Sequence, residues 1–173
     1  MPLFLIVSIF CTSSHFVDLI LNNTPTQVYY SPNGGATEAI IKKIDNATME
    51  ILVQAYSFTS APIAKALINA KKRAVSVEVI LDKSQRKEKY TSATFLANSK
   101  IPTYIDDKHA IAHNKVMIID KETVITGSFN FTKAAEEKNA ENLLIIKSKE
   151  LAGIYIDNWY KHREHSETYA PRY

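Results

Sequence analysis

The chain has 173 residues, 46% of them hydrophobic and 23% charged, with a net charge of +3. That length suits one domain with a real core and is short for two, and with four glycines and six prolines there is no long flexible linker. The balance is that of a soluble globular protein, and the mild positive charge permits an anionic partner without requiring one.

Residues 1–14 contain no charge. The apolar run at 3–11 is shorter than the roughly 20 residues that span a bilayer. It fits the apolar stretch of a secretory signal with small residues at 12–14 for cleavage, although no Lys or Arg precedes it. An uncleaved anchor and a buried strand are the other readings. Residues 1–24 are therefore expected to be a signal or anchor with its lead-in, which implies export, and residues 25–173 the domain. The only cysteine, Cys11, lies in the leader, so a cleaved chain has no disulfide, thiolate metal site or cysteine nucleophile.

From residue 26 onward strand and helix signals alternate. A β-prone stretch at 27–30 stops at the turn formers Ser31-Pro32-Asn33-Gly34-Gly35. Thr37 is the expected cap of a helix to about Asn46, with Ile40, Ile41 and Ile44 inward. A buried strand follows at 50–56, then a helix to Lys72 with Pro62 in its first turn. Residues 75–81 read as a strand, 84–98 as a third helix and 101–105 as a short strand. The second half gives strands at 116–119, 124–126 and 143–146, and helices at 131–138 and 149–164. Apolar strands alternating with helices predict an α/β sandwich, a mixed and largely parallel sheet between helices.

The chemistry concentrates in His113-Asn114-Lys115-Val116-Met117-Ile118-Ile119-Asp120, followed by Gly127-Ser128-Phe129-Asn130. His113 and Lys115 are two apart, so an extended chain projects both from one face at the edge of a rigid sheet. Asp120 lies where the apolar strand ends, and a sharp return through Gly127 would bring Ser128 and Asn130 alongside. An imidazole can attack phosphorus or move a proton near neutral pH, and a lysine and an amide stabilise charge on phosphoryl oxygens. Glu141, just before a buried strand, could orient an imidazole. H-x-K-x4-D alone arises by chance about once in fifty chains of this composition, and the second cluster at its proper distance makes it specific.

Residues 111–147 resemble the HKD motif of the phospholipase D superfamily, in its small single-motif bacterial branch of Nuc-type endonucleases and short phospholipase D proteins. The resemblance extends from about Val28 to Trp159. It implies a metal-independent, cofactor-free reaction in which His113 forms a phosphohistidine and a second histidine protonates the leaving oxygen. It further implies that Lys115, Ser128 and Asn130 hold the phosphate, Asp120 supports the motif and Glu141 positions His113. A single motif implies a homodimer with the two His113 residues facing across a two-fold axis. The substrate class stays open: nucleic acid is the first reading, phospholipid at a membrane the second, and a catalytically idle nucleic-acid-binding module the third.

His109 and His113 are four apart, a spacing that on a helix can serve zinc, but this stretch reads as extended and no Cys or well-placed Glu completes a set. His162 and His165 read as solvated. Lys71-Lys72-Arg73 and the cluster at 83–89 are either wet helix faces or steering charges for a phosphate polymer or an anionic membrane.

Overall fold

In the computed structural model, which describes residues 17–171, β1 (Thr26–Tyr30) leads into α1 (Ala36–Asp45), whose inner stripe is Ala36, Ile40 and Ile44. The expected leader at 1–14 lies outside the described residues. The cap of α1 is a correction to the sequence reading. Thr37 sits inside the first turn, and the Glu136 carboxylate accepts hydrogen bonds from Gly35 N (3.0 Å) and Thr37 N (2.7 Å). A carboxylate there satisfies two orphan donors and meets the positive end of the helix dipole.

β2 (Glu50–Ala55), α2 (Ala61–Lys72) and β3 (Ser76–Asp82) follow as read. The helix expected at 84–98 is instead a 3-10 turn at Lys83–Arg86 and a short α3 (Ala93–Asn98). Side-chain bonds hold the chain out of helical register. Asp82 accepts from Ser84 N, and the buried Gln85 accepts from Phe58 N at 3.3 Å and Thr91 Oγ1 at 3.0 Å. β4 (Thr103–Asp106) closes this half.

The second half comprises β5 (Lys115–Ile119), β6 (Thr123–Gly127), α4 (Lys133–Glu137), β7 (Asn142–Lys147), α5 (Lys149–His165) and β8 (Glu167–Thr168). Asp120 and Lys121 both take positive φ (53° and 56°) and Glu122 N donates to Ile119 O, which gives the primed turn that a tight hairpin needs. The eight strands run in the order β1-β7-β6-β5-β2-β3-β4-β8. Only β2–β3 and β3–β4 are parallel, and the other five neighbouring pairs are antiparallel. The sheet is thus mixed as expected, but with the opposite majority. Continuous apolar runs report burial of both faces rather than direction, and the short β5–β6 connection permits only a hairpin.

Helices cover both faces. Ile51, Val53, Val79, Met117 and Ile145 pack with the buried residues of α1, α2 and α3 on one side. Leu52, Ile80, Tyr104, Val116, Ile118 and Val124 pack on the other against Ala152 and Trp159 of α5, whose indole donates to Val53 O at 2.9 Å. One rim of this frame gathers the ends of β2, β3, β4 and β6 with the starts of β5 and β7. No helix of the described residues is long and apolar enough to cross a membrane.

Candidate active site

His113 lies just before β5 on that rim, and Lys115 is its first residue, paired with Ala55 of β2. The Tyr56 backbone N–H donates to Asn114 O at 2.7 Å, which seats the phenol ring beneath both functional side chains. The imidazole of His113 is exposed, with its ring centroid 4.6 Å from that of Tyr56. The Lys115 ammonium lies 5.0 Å over the same ring and donates to the His113 carbonyl at 3.0 Å. Lys115 is only 7% exposed, and burial pushes its ammonium below the usual lysine range while the Glu141 carboxylate opposes that shift. A desolvated cation beside an accessible imidazole suits an anionic substrate, because the charge–charge attraction is least screened there.

Opposite this pair, Gly127 closes β6 at a φ of +146°, and a Cβ on it would lie 2.3 Å from Asn142 O. Its bare backbone lets Ser128 N and Phe129 N both donate to Asn142 O, which turns the chain back along β7. The Ser128 hydroxyl donates to Glu141 Oε2 at 2.6 Å and accepts from Asn142 N at 3.1 Å. Asn139 Nδ2 donates to Glu141 Oε1, and Ser31 Oγ accepts from Glu141 N. Within the chain Glu141 is therefore bound to Ser128 and Asn139 rather than to His113. The one hydroxyl proton of Ser128 is likewise committed to Glu141. Asn130 completes the cluster with a buried amide oxygen that has no partner, a polar group left over by the fold.

Asp120 does not join this cluster. It lies five residues along β5 from Lys115, roughly 16 Å at strand rise, on the opposite rim. There it accepts from Thr48 N, Thr48 Oγ1, Met49 N and Glu50 N at 2.8–3.0 Å and locks the α1–β2 loop. Burial pushes its carboxyl up, but the donors from Glu50, Met49 and Thr48 outweigh that and hold it below the usual range. Asp120 is a positioning residue for the sheet. The motif's three letters thus serve two ends of one strand.

The basic clusters separate in the same way. Lys71, Lys72 and Arg73 close α2 at the far rim, where Arg73 donates to Ile44 O and Ala47 O. The cluster at 83–89 follows β3 on the His113 rim; there Lys83, Lys87 and Lys89 are exposed and Arg86 is paired with Asp107 and Glu167.

Two further residues belong near the site: Tyr56, the shared platform, which the sequence places with Ser57 and Phe58 in a rim loop able to contact substrate, and Ser31, which holds Glu141. The end of a buried strand and a tight turn were the available signals. Phe58, by contrast, is fully buried against Phe131 and serves the core. His162 and His165 are not merely solvated. With His109 they surround the fully buried Asp106, whose carboxyl burial pushes up but contacts with His162, His109 and His165 bring down to about 2.

Comparison with known proteins agrees with this geometry. Residues 40–162 match the model of the PLD-like domain described under cardiolipin synthase. A phospholipase D of Rickettsia conorii is 47% identical over 139 residues, covering 80% of this chain and 70% of that protein. Among solved structures, Nuc from Salmonella typhimurium, a phospholipase D family member, superposes with a TM-score of 0.82 at 41% identity, covering 84% of this chain and 98% of that one. NucT from Helicobacter pylori gives 0.76 at 25% identity, covering 84% and 99%. With the motif, the rim that displays it and these likenesses together, the chain belongs to the phospholipase D superfamily and is a phosphodiesterase hydrolase of that family.

Proposed function

We propose that this phosphodiesterase is a nuclease that cuts nucleic acid with little sequence preference, through a covalent phosphohistidine on His113 and without a metal ion in the chemical step. In this reading a ring nitrogen of His113 attacks phosphorus while the bond to the leaving oxygen breaks. A second imidazole donates the proton that the leaving oxygen needs. Water then attacks the phosphohistidine, gives its proton to that second imidazole and frees His113 as the P–N bond breaks. Lys115 and the side-chain NH2 of Asn130 donate to the phosphoryl oxygens, and Ser128 reaches them only by releasing Glu141.

The second imidazole has to come from elsewhere. Among the described residues the other histidines are 109, 162 and 165, all turned toward Asp106. A second copy related by a two-fold axis supplies the missing His113, so the working form is a homodimer with both half-sites at its interface.

The observation that carries the nucleic-acid reading is the charge on the rim. Lys83, Lys87, Lys89 and Lys108 are exposed on the side that carries His113, and Lys89 sits 5.4 Å from the ring of the exposed Tyr90. Cations beside an accessible ring suit a phosphate backbone with a base stacked on the aromatic. A phospholipase D reading is favoured by the likeness to the rickettsial phospholipase D and by Ile111, 57% exposed two residues before His113.

The test presents supercoiled plasmid and phosphatidylcholine vesicles in parallel to the purified chain, without added metal and again after brief EDTA treatment. Nicking without choline release is the expected outcome. Choline release without nicking would replace the nuclease reading by the phospholipase one.

A further inference from the structure

Outside the phosphodiesterase site, one cluster of titratable groups is assembled from three separate elements. Asp106 ends β4 and points to the α5 face, two residues after Tyr104, which packs there. His109 follows on the loop that leads to His113. His162 and His165 lie one turn apart in the last turns of α5, continuing the inner stripe that contains Ala152 and Trp159.

The ring nitrogens converge. His109 Nδ1 lies 3.0 Å from both Asp106 oxygens, His162 Nδ1 lies 2.7 Å from Oδ2, and His165 Nε2 lies 3.3 Å from Oδ1. The three imidazole centroids are 4.9–5.4 Å apart. All four ligand atoms fall within 4.8 Å of one another. A tetrahedral ion with bonds of about 2.0–2.1 Å separates its ligand atoms by roughly 3.3 Å, so shifts of about 1 Å bring this set into place.

A hydrogen-bonded cage around Asp106 is the competing explanation, and it is weakest at one atom. His165 Nε2 is buried and stands 3.3 Å from Asp106 Oδ1 outside good hydrogen-bond geometry. A central ion takes all four donor atoms at once. The ligands are also held from behind: Lys83 Nζ donates to His109 O at 2.9 Å and Ser166 Oγ to His162 O at 2.7 Å. The neighbouring charges of the adjoining cavity, Lys108 and Lys161 against Asp157 and Glu164, offset one another.

We propose that Asp106, His109, His162 and His165 bind one divalent transition-metal ion, zinc by the chemistry of the donors, as a clasp that ties the end of α5 to the loop carrying His113. Three imidazoles and one carboxylate make a closed four-coordinate set, the pattern of a structural rather than a catalytic zinc. From His109 to His113 the chain spans at most about 14 Å, so the clasp fixes the base of the catalytic loop without entering the chemistry. The proposal does not depend on which phosphodiester is cut.

The test uses the full chain freed of metal, titrated with zinc by calorimetry and with cobalt(II) by visible absorption. One ion per chain, an intense tetrahedral cobalt spectrum displaced by zinc, and a zinc-dependent rise in Tm are expected. His109→Ala, in an exposed loop, and His162→Ala should each weaken zinc binding at least tenfold, roughly the floor seen when a mere supporting partner is lost. Circular dichroism confirms that each variant is folded, and His109→Ala carries the test alone should His162→Ala fail to fold. His113→Ala should bind zinc as the parent does. Absence of stoichiometric binding by the parent overturns the proposal. So does undiminished affinity in folded His109→Ala, and so does loss of binding in His113→Ala, which places the ion at the phosphodiesterase site.

Discussion

At the scale of single residues, the motif separates into a pair displayed on the site rim, to which the proposed mechanism assigns the substrate, and a group that builds the frame. His113 and Lys115 share the Tyr56 ring, whereas Asp120 clamps Thr48, Met49 and Glu50 at the other end of the strand. The Asp120 carboxyl titrates lower in the fold than in the unfolded chain. Its contribution to stability is therefore present above the unfolded carboxyl pKa of about 3.9 and is lost as pH falls through the lower folded value. Asp120→Asn should lower Tm near neutral pH, by about 2–4 °C for each kcal/mol in a domain of this size, and the gap to the parent should close in acid. Thermal melts across pH check the sign. The kcat of the folded variant should stay near that of the parent; a collapse of kcat with an unchanged melt would return Asp120 to the reaction itself.

The elements show what the sequence made legible and why. Apolar runs, with alternation at β3, located β2, β3, β5, β6 and β7, and helical spacing with turn signals located α1, α2 and α5, because burial of these elements leaves its mark in the residues. The pairing of His113 with Lys115 and the return through Gly127 were legible for the same reason. The split at 83–98 was not, since Gln85 reads as an ordinary helix former until its partners Phe58 and Thr91 are known. Strand direction was lost because burial on both faces hides it. The histidines of α5 could have been found: His162 stands three residues after the buried Trp159, on the stripe that also holds Ala152. Gly127 offers the element-scale prediction. Gly127→Ala combines a strained positive φ with a Cβ 2.3 Å from the β7 backbone. It should destabilise the fold by more than the roughly 1–3 kcal/mol of backbone strain alone, measured by urea unfolding, and should reduce kcat by displacing Ser128 and Asn130.

At the scale of the whole molecule, one rim of a mixed sheet presents the HKD histidine and lysine, half of a symmetric site in the proposed dimer, and the opposite rim carries Asp120. The chain holds an exposed imidazole at His113, a buried cation at Lys115 and an unpartnered amide oxygen at Asn130, while its other described histidines are drawn to Asp106. In the proposed mechanism such a half-site works only when a second copy faces it. Subunit mixing tests this most directly: wild-type chain is refolded together with a ninefold excess of His113→Ala chain, and phosphodiester hydrolysis is measured per wild-type chain. Random pairing leaves about one wild-type chain in ten with a wild-type partner, so activity per wild-type chain should fall to roughly a tenth, with the variant inactive alone. Unchanged activity per wild-type chain would mean that each chain carries a complete site, which contradicts the shared one.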